Sequence, residues 1–235
     1  FWDKMSRRVK FILGLFLLIS EIKKSKNTTV ISFQGNIYCG LLSRLLGFKL
    51  IIRSNSSPYG WSKSFIKNFF YKVGLNGAQK IIVNSYEFKK LLKKRFKIKA
   101  ECIYNPLNKK EIIKLSKKKI KFNFFNKDQL NIINVGRLED QKDQKTLLRA
   151  IKLIDKKIKI KLLIIGNGSK LKELNNFIYK NNLKKSVKIL NNISNPFPYI
   201  VRSDLFVLTS IFEGLPNVLL EAITLNKFVI STNCS

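Results

Sequence analysis

At 235 residues and 45% hydrophobic content the chain carries enough apolar material for one large core or two modest ones, and its composition is not that of a disordered segment. A formal charge of +32 points to an acidic partner such as nucleic acid, an anionic membrane face or a phosphorylated substrate; codon bias explains the excess equally well, because Lys, Asn, Ile and Phe are all abundant and the lysines are spread along the chain. With no His, imidazole acid–base chemistry and His-ligated metals are excluded. Cys39, Cys102 and Cys234 are odd in number and lack CxxC spacing, so neither a disulfide framework nor a zinc site is indicated and a reducing cytoplasm fits best.

In chain order, the apolar run 9–20 (VKFILGLFLLIS) falls short of the ~20 residues that span a bilayer, and no small-residue cleavage site follows it. It reads as a buried helix. Short β-branched runs then alternate with helix-length segments, giving strands at 29–33, 49–54, 80–85 and 100–105. The stretch 61–74 (WSKSFIKNFFYKVG) sets Trp61, Phe65, Phe69 and Val73 at four-residue spacing, with Lys63, Lys67 and Lys72 between them. Such a helix either lies on anionic lipid or turns its stripe to the core, the ordinary case in an α/β domain. RSNSSP (53–58) sits at a strand's carboxyl end, where it would face a cleft.

The second half repeats the rhythm with strands at 130–136, 160–166, 187–190, 204–210 and 228–232. Several lack polar alternation, as parallel strands covered on both faces do. The class is therefore α/β, in two Rossmann-like halves. The boundary divides an N-terminal unit 1–107 from a C-terminal unit 129–235, across a Lys-rich linker region 108–128. Phe1 opens in mid-helix pattern and Ser235 follows directly on a strand, which reads as a fragment with both halves incomplete.

Three segments of the second half hold polar residues at strand ends, where open parallel sheets bind ligands. After the strand at 130–136, Gly136 permits a tight turn, Arg137 offers a fork of donors and Lys142 a point charge, a pairing suited to a diphosphate; two solvated cations in a loop is the plain alternative. IIGNGSKL (165–172) has Gly166 and Gly168 but lacks the third glycine of a dinucleotide fingerprint, and reads as a tight turn. In EGLPNVLLEA (213–222), Pro216 suits the first helical position, and the free amides at Asn217 and Val218 offer a phosphate site. Asn217 and Glu221, four apart, share a helix face, while the loop sets the direction of Glu213. Carboxylates accept hydrogen bonds from hydroxyls, which a nucleotide sugar carries on ribose and hexose; as surface residues, these two glutamates would need no such partner.

Together, VGRLEDQKD, NPFPYIVRSDLFVLTSIFEGLPNVLLEAI and STNCS resemble the donor-binding half of the retaining glycosyltransferases of family 4, which have the GT-B fold. Glu213 and Glu221 match the family's E-x7-E pattern, and Gly136, Arg137 and Lys142 its Gly-Arg-x4-Lys pattern. The resemblance implies that Arg137 and Lys142 neutralise a donor diphosphate, that Glu221 binds the ribose and that Glu213 contacts the transferred sugar. These make Arg137, Lys142 and Glu213 the catalytic candidates. It also implies that the backbone at Gly214, Leu215, Pro216, Asn217 and Val218 holds phosphate and sugar, with Asn191 and Asn192 beside the base. No metal or cofactor is expected. The first half resembles the family more loosely, through VISFQGN, VNSYEFKKLL and IYNPL. There the family's first strand would precede residue 1, and the His that many relatives carry near the reacting sugar has no counterpart.

The activity implied is transfer of a hexose or N-acetylhexosamine, UDP-linked by preference with GDP-mannose open, to a glycan or lipid-linked acceptor with retention of configuration. Its setting would be bacterial cell-surface polysaccharide or lipopolysaccharide synthesis in the cytoplasm, at the inner face of the plasma membrane. The fragment alone is expected to be inactive. The rival readings are a basic nucleic-acid-binding protein, which leaves the paired glutamates unexplained and for which no motif is present, and an epimerase or phosphorylase on the same fold.

Overall fold

The computed structural model describes residues 5–24, 27–55, 64–154 and 158–233, and the chain forms two compact units, Phe1–Tyr104 and Asn105–Ser235. The first unit contains α1 (Arg7–Lys24), β1 (Thr29–Ser32), α2 (Asn36–Leu46), β2 (Lys49–Ser54), α3 (Phe65–Leu75), β3 (Lys80–Val83), α4 (Tyr86–Phe96) and β4 (Glu101–Cys102). Its strands form a parallel sheet in the order β1-β2-β3-β4. Leu50 and Ile52 of β2 and Ile81 and Val83 of β3 point to one face, where Leu75, Phe88, Leu92 and Phe96 bury them. On the other face Ile51 and Arg53 are half-buried.

Backbone contact between α2 and α3 fixes how both helices are rotated. A Cβ on Gly40 would lie 1.7 Å from the carbonyl oxygen of Gly74, and one on Gly77 would lie 2.1 Å from that of Gly40. The Ser43 hydroxyl donates to the Gly77 carbonyl at 2.8 Å, locking the crossing. Tyr71, Gly74 and Leu75 therefore face inward, and the predicted inward stripe does not: Phe65 is 84% and Phe69 57% exposed. Trp61 and Lys63 lie outside the described residues, as do 56–58 of the RSNSSP segment. The apolar run 9–20 is helical, as expected, but not buried. Ile12, Phe16 and Leu17 of α1 are exposed, and Ile22, beyond the run, is its buried anchor.

The second unit contains α5 (Lys109–Ser116), β5 (Leu130–Val135), α6 (Gln144–Ile154), β6 (Ile160–Ile165), α7 (Leu171–Lys180), β7 (Val187–Leu190), α8 (Phe197–Val201), β8 (Leu205–Leu208), α9 (Asn217–Thr224) and β9 (Phe228–Ser231). Segment 108–128 is integrated into this unit. Its helix α5 starts on Asn108, whose side chain accepts from the Glu111 amide, and packs against α8 and α9. Phe122 stacks edge-on with Phe125 and Tyr199, at ring separations of 5.1 and 5.0 Å.

The five strands run parallel in the order β7-β6-β5-β8-β9. Both faces are covered here: Ile132, Leu162 and Ile164 join one core cluster, Ile133, Leu163 and Ile165 the other. Strand order reverses between β5 and β8, and their ladder is short, with Ile132 opposite Leu205 and Ile133 opposite Phe206. Beyond it the side-chain amide of Asn134 donates to the Val207 carbonyl at 2.7 Å, so a side-chain bond replaces the main-chain ladder toward the carboxyl ends, the place where open parallel sheets bind ligands.

Gly40→Ala should push α2 from α3 and lower the unfolding free energy of the first unit by about 1–3 kcal/mol. Urea unfolding followed by tyrosine fluorescence checks this, and an unchanged midpoint would contradict the crossing.

Candidate functional site

Four loops meet at the carboxyl edge of the second sheet, and glycines set the spacing of the first two. A Cβ on Gly166 would sit 1.8 Å from the Gly136 carbonyl oxygen, and one on Gly168 would sit 2.3 Å from that of Leu138. Backbone bonds lace the loops together, Leu138 N to Asn167 O at 2.8 Å and Lys170 N to Leu138 O at 2.9 Å. Gly166 and Gly168 thus serve close backbone approach, beyond the plain turn expected from sequence. From the third loop, the Asn192 amide donates to Asn167 Oδ1 at 3.0 Å, with Asn192 in the left-handed region at φ 57°. Asn191 and Asn192 are both exposed at this edge.

The loops after β5 and β8 are tied by side chains. Lys142, in a 3-10 turn spanning Asp140–Lys142, forms an ion pair with Glu213, and the two side chains are only 12% and 10% exposed. The Ser210 hydroxyl donates to the same Glu213 oxygen at 2.7 Å. Thr209 Oγ1 donates to the Lys142 carbonyl at 3.0 Å, and the Ile211 amide to that of Gln141 at 2.8 Å. Gln141 Nε2 donates to the Phe212 carbonyl at 2.9 Å, while its Oε1 accepts from Arg137 Nη2 at 3.1 Å. Glu213 is therefore neither a surface residue nor free to turn, and Lys142 is not a solvated cation. Arg137 is the exposed cation of the pair read from the sequence. Gln141 and Thr209 escaped sequence reasoning because their partners Phe212 and Lys142 lie 71 and 67 residues away along the chain, while Ser210, three residues before Glu213, belongs to no recognised motif.

Of the helices that begin at this edge, α7 and α9 differ at their amino ends. At α7, Glu139 accepts from both the amide and the hydroxyl of Ser169, at 3.0 and 2.8 Å, so a carboxylate already occupies the end of that dipole. Those hydrogen bonds hold the Glu139 carboxyl below its ordinary pKa, with Arg137 and Lys170 adding to the effect. At α9 no side chain caps the amino end. Pro216, expected as the first helical residue, precedes the helix in an extended conformation (φ −76°, ψ 99°), and Asn217 is the first residue within it. The Pro216 carbonyl accepts from Leu219, while Asn217, exposed, accepts from Asn105 at 2.9 Å through its side-chain oxygen. Gly214, Leu215 and Pro216 are half-buried in the loop that leads in.

Ala222 is buried against the sheet with Val218, Leu219 and Leu225 packed beside it, which leaves Glu221 half-buried on the helix flank. Burial alone lifts its carboxyl above the usual range. The edge thus combines an uncapped helix start, an exposed guanidinium, a buried ion pair and a half-buried carboxyl, which together match a diphosphate carrying hydroxylated groups. Among the described residues no group of three or more Cys, Asp or Glu side chains is arranged to hold a metal ion.

The sequence profile of the family Glycosyl transferases group 1 matches residues 116–235, more than half of the chain. The chain is 32% identical over 237 residues to an uncharacterized glycosyltransferase of Methanocaldococcus jannaschii, covering 98% of this chain and 50% of that protein. It is 29% identical over 242 residues to an N-acetylgalactosamine-N,N'-diacetylbacillosaminyl-diphospho-undecaprenol 4-alpha-N-acetylgalactosaminyltransferase of Campylobacter jejuni, covering 96% and 64%. Of these two curated relatives the chain spans between half and two thirds of the length. Among solved structures it is similar to Anabaena HepE in complex with UDP, with a TM-score of 0.69, 17% identity and coverage of 93% of this chain and 62% of that one. Sucrose-phosphate synthase from Thermosynechococcus elongatus gives a TM-score of 0.74 at 18% identity, covering 93% and 59%.

Lys142→Met, which strands the Glu213 carboxylate in a buried place, should lower stability by about 3 kcal/mol. Adding Glu213→Gln should recover a large part of that loss; a double-mutant cycle in urea measures the coupling, and simple additivity would show the pair to be independent. Glu221, whose folded pKa is raised, gives its full contribution to stability below the ordinary carboxylate value of about 4.3 and loses it as pH rises through the folded value. Glu221→Gln removes that loss. Its melting temperature should match the parent near pH 4 and exceed it near pH 7, values set by the ordinary carboxylate range.

Proposed function

The chain belongs to the glycosyl transferases group 1 and has the GT-B fold of its structural neighbours; on that premise we propose that the carboxyl edge of its second sheet binds a nucleotide-diphosphate sugar. The observation that carries this reading is the reversal of strand order between β5 and β8, with the uncapped start of α9 following one strand and exposed Arg137 following the other. Helix amides and a guanidinium fork suit a diphosphate, and both lie where strand order reverses. Arg137 neutralises one phosphate, and the amides of Asn217 and Val218 receive the other. Glu221 takes the ribose hydroxyls. Burial raises its pKa, and two ribose hydroxyls donating to it would favour the charged form. Glu213, oriented by Lys142 and Ser210, accepts from the transferred sugar, and Lys142 shares its charge between that carboxylate and the diphosphate.

The proposed reaction moves a hexose or N-acetylhexosamine to a glycan or lipid-linked acceptor with retained configuration. The acceptor oxygen bonds the anomeric carbon on the face from which the diphosphate departs, and the departing phosphate oxygen takes the acceptor's proton. No protein base and no metal are needed, because cations and a helix terminus stabilise the leaving diphosphate. UDP is the favoured nucleotide. HepE and the pneumococcal O-GlcNAc transferase GtfA were both crystallised with UDP, and the Campylobacter jejuni relative acts on an undecaprenol-linked sugar.

Isothermal titration of the chain with UDP and with uridine tests the assignment. Arg137→Ala should weaken UDP at least tenfold, about 1.4 kcal/mol, and leave uridine unchanged, whereas Glu221→Ala should weaken both. Equal affinity of both variants and the parent for UDP would refute it. Proton NMR of the product anomer, with and without EDTA, tests retention and metal independence.

A further inference from the structure

The rotation of α3, set by the glycines of the α2–α3 crossing, leaves Phe65, Ile66, Phe69 and Phe70 exposed along one arc of the helix. Lys67 and Lys72, both exposed, flank that arc, and α3 contains no acid. Beside it α4 carries Lys89, Lys90, Lys93 and Lys94 against the carboxylate of Glu87. Between the two helices runs a groove of about 330 Å³, lined by Phe65, Asn68, Phe69, Lys72, Arg95 and Phe96. Its floor is aromatic and its rim cationic, with Arg95 Nη2 donating to Asn68 Oδ1 at 3.0 Å. Among the described residues no helix is long and apolar enough to cross a membrane.

We infer that the α3–α4 face of the first unit docks on an anionic lipid bilayer, with Phe65 and Phe69 entering the acyl boundary and the flanking lysines meeting lipid phosphates. Aromatic rings at the headgroup level and lysines that keep their ammonium groups in water are the pattern of an interfacial helix. A second copy of the chain is a poor occupant, since pairing two such faces would oppose lysines with lysines, and Lys is depleted from protein interfaces. Single-stranded nucleic acid suits the face less well. Phe69 and Phe70 stand edge-on, 6.0 Å apart at 76°, and aliphatic Ile66 shares the arc, so no row of parallel ring faces is offered for stacking bases.

The test is sedimentation of the chain with vesicles of phosphatidylcholine alone or with phosphatidylglycerol added. Binding to the anionic vesicles should exceed that to neutral ones at least tenfold. The double variant Phe65→Ser/Phe69→Ser, which keeps every charge, should reduce anionic binding at least tenfold without lowering the melting temperature, because both rings are exposed. Lys67→Glu/Lys72→Glu should abolish it. UDP titration should be unchanged in both, which separates this inference from the proposed donor site. Equal binding to both vesicle types would overturn it, as would undiminished binding by the serine variant, which would reduce the effect to adsorption by the net charge. A serine variant that instead lost self-association or oligonucleotide binding, with vesicle binding intact, would also overturn it.

Discussion

The ion pair of Lys142 and Glu213 is the constraint on which the second unit's carboxyl edge depends. The two residues stand on loops from β5 and β8, the strands between which chain order reverses, and their main-chain ladder has already ended before the loops begin. Beyond the ladder the two loops are joined by this ion pair together with the main-chain bond from the Ile211 amide to the Gln141 carbonyl. Burying both charges carries a desolvation penalty, so the pair is weak evidence for stability and better evidence for specificity of arrangement. The hydroxyls of Ser210 and Thr209 and the amide of Gln141 satisfy the remaining polar groups around it, which makes the two loops one polar network.

That network also distributes charge. With Lys142 matched by Glu213 and the α7 amino end matched by Glu139, the positive potential left at the edge comes from Arg137 and the amides of α9. A chain with 46 basic residues would otherwise attract anions almost anywhere. Acidic side chains are scarce, yet Glu139, Asp140, Asp143, Glu213 and Glu221 stand on or beside these loops, so the excess positive charge of the chain is partly offset there and anions meet individual groups, Arg137 and the α9 amides, in place of a uniformly cationic surface.

Of the strands among the described residues, all but β4 were legible as runs of β-branched or aliphatic residues between turn signals; β4, only Glu101–Cys102, is a short piece of the segment read at 100–105. Their ends were less so. The strand read at 204–210 stops at Leu208, beyond which Thr209 turns its hydroxyl to the Lys142 carbonyl of the neighbouring loop and Ser210 turns its own to Glu213 within the same loop. Arg137, Lys142, Glu213 and Glu221 could be singled out from spacing, but the bond between Lys142 and Glu213 could not, since its partners are separated by 71 residues. Helix orientation was the other blind spot. Periodicity marks an apolar stripe on α3 without saying which way it points, and that is decided by Gly40, Gly74 and Gly77 through backbone contact. Segment 108–128 looked like a linker because its lysines hide the FNFF aromatics that pin it to α8.

The four loops of the candidate site all spring from one sheet, and the chain passes between its units at Tyr104 and Asn105. A genetic crossover near that point would carry every residue of the candidate site in a single block and leave the other unit behind. In the proposed reading, donor preference can then be inherited separately from whatever the other unit recognises, and new combinations can arise by shuffling halves as well as by slow substitution within them.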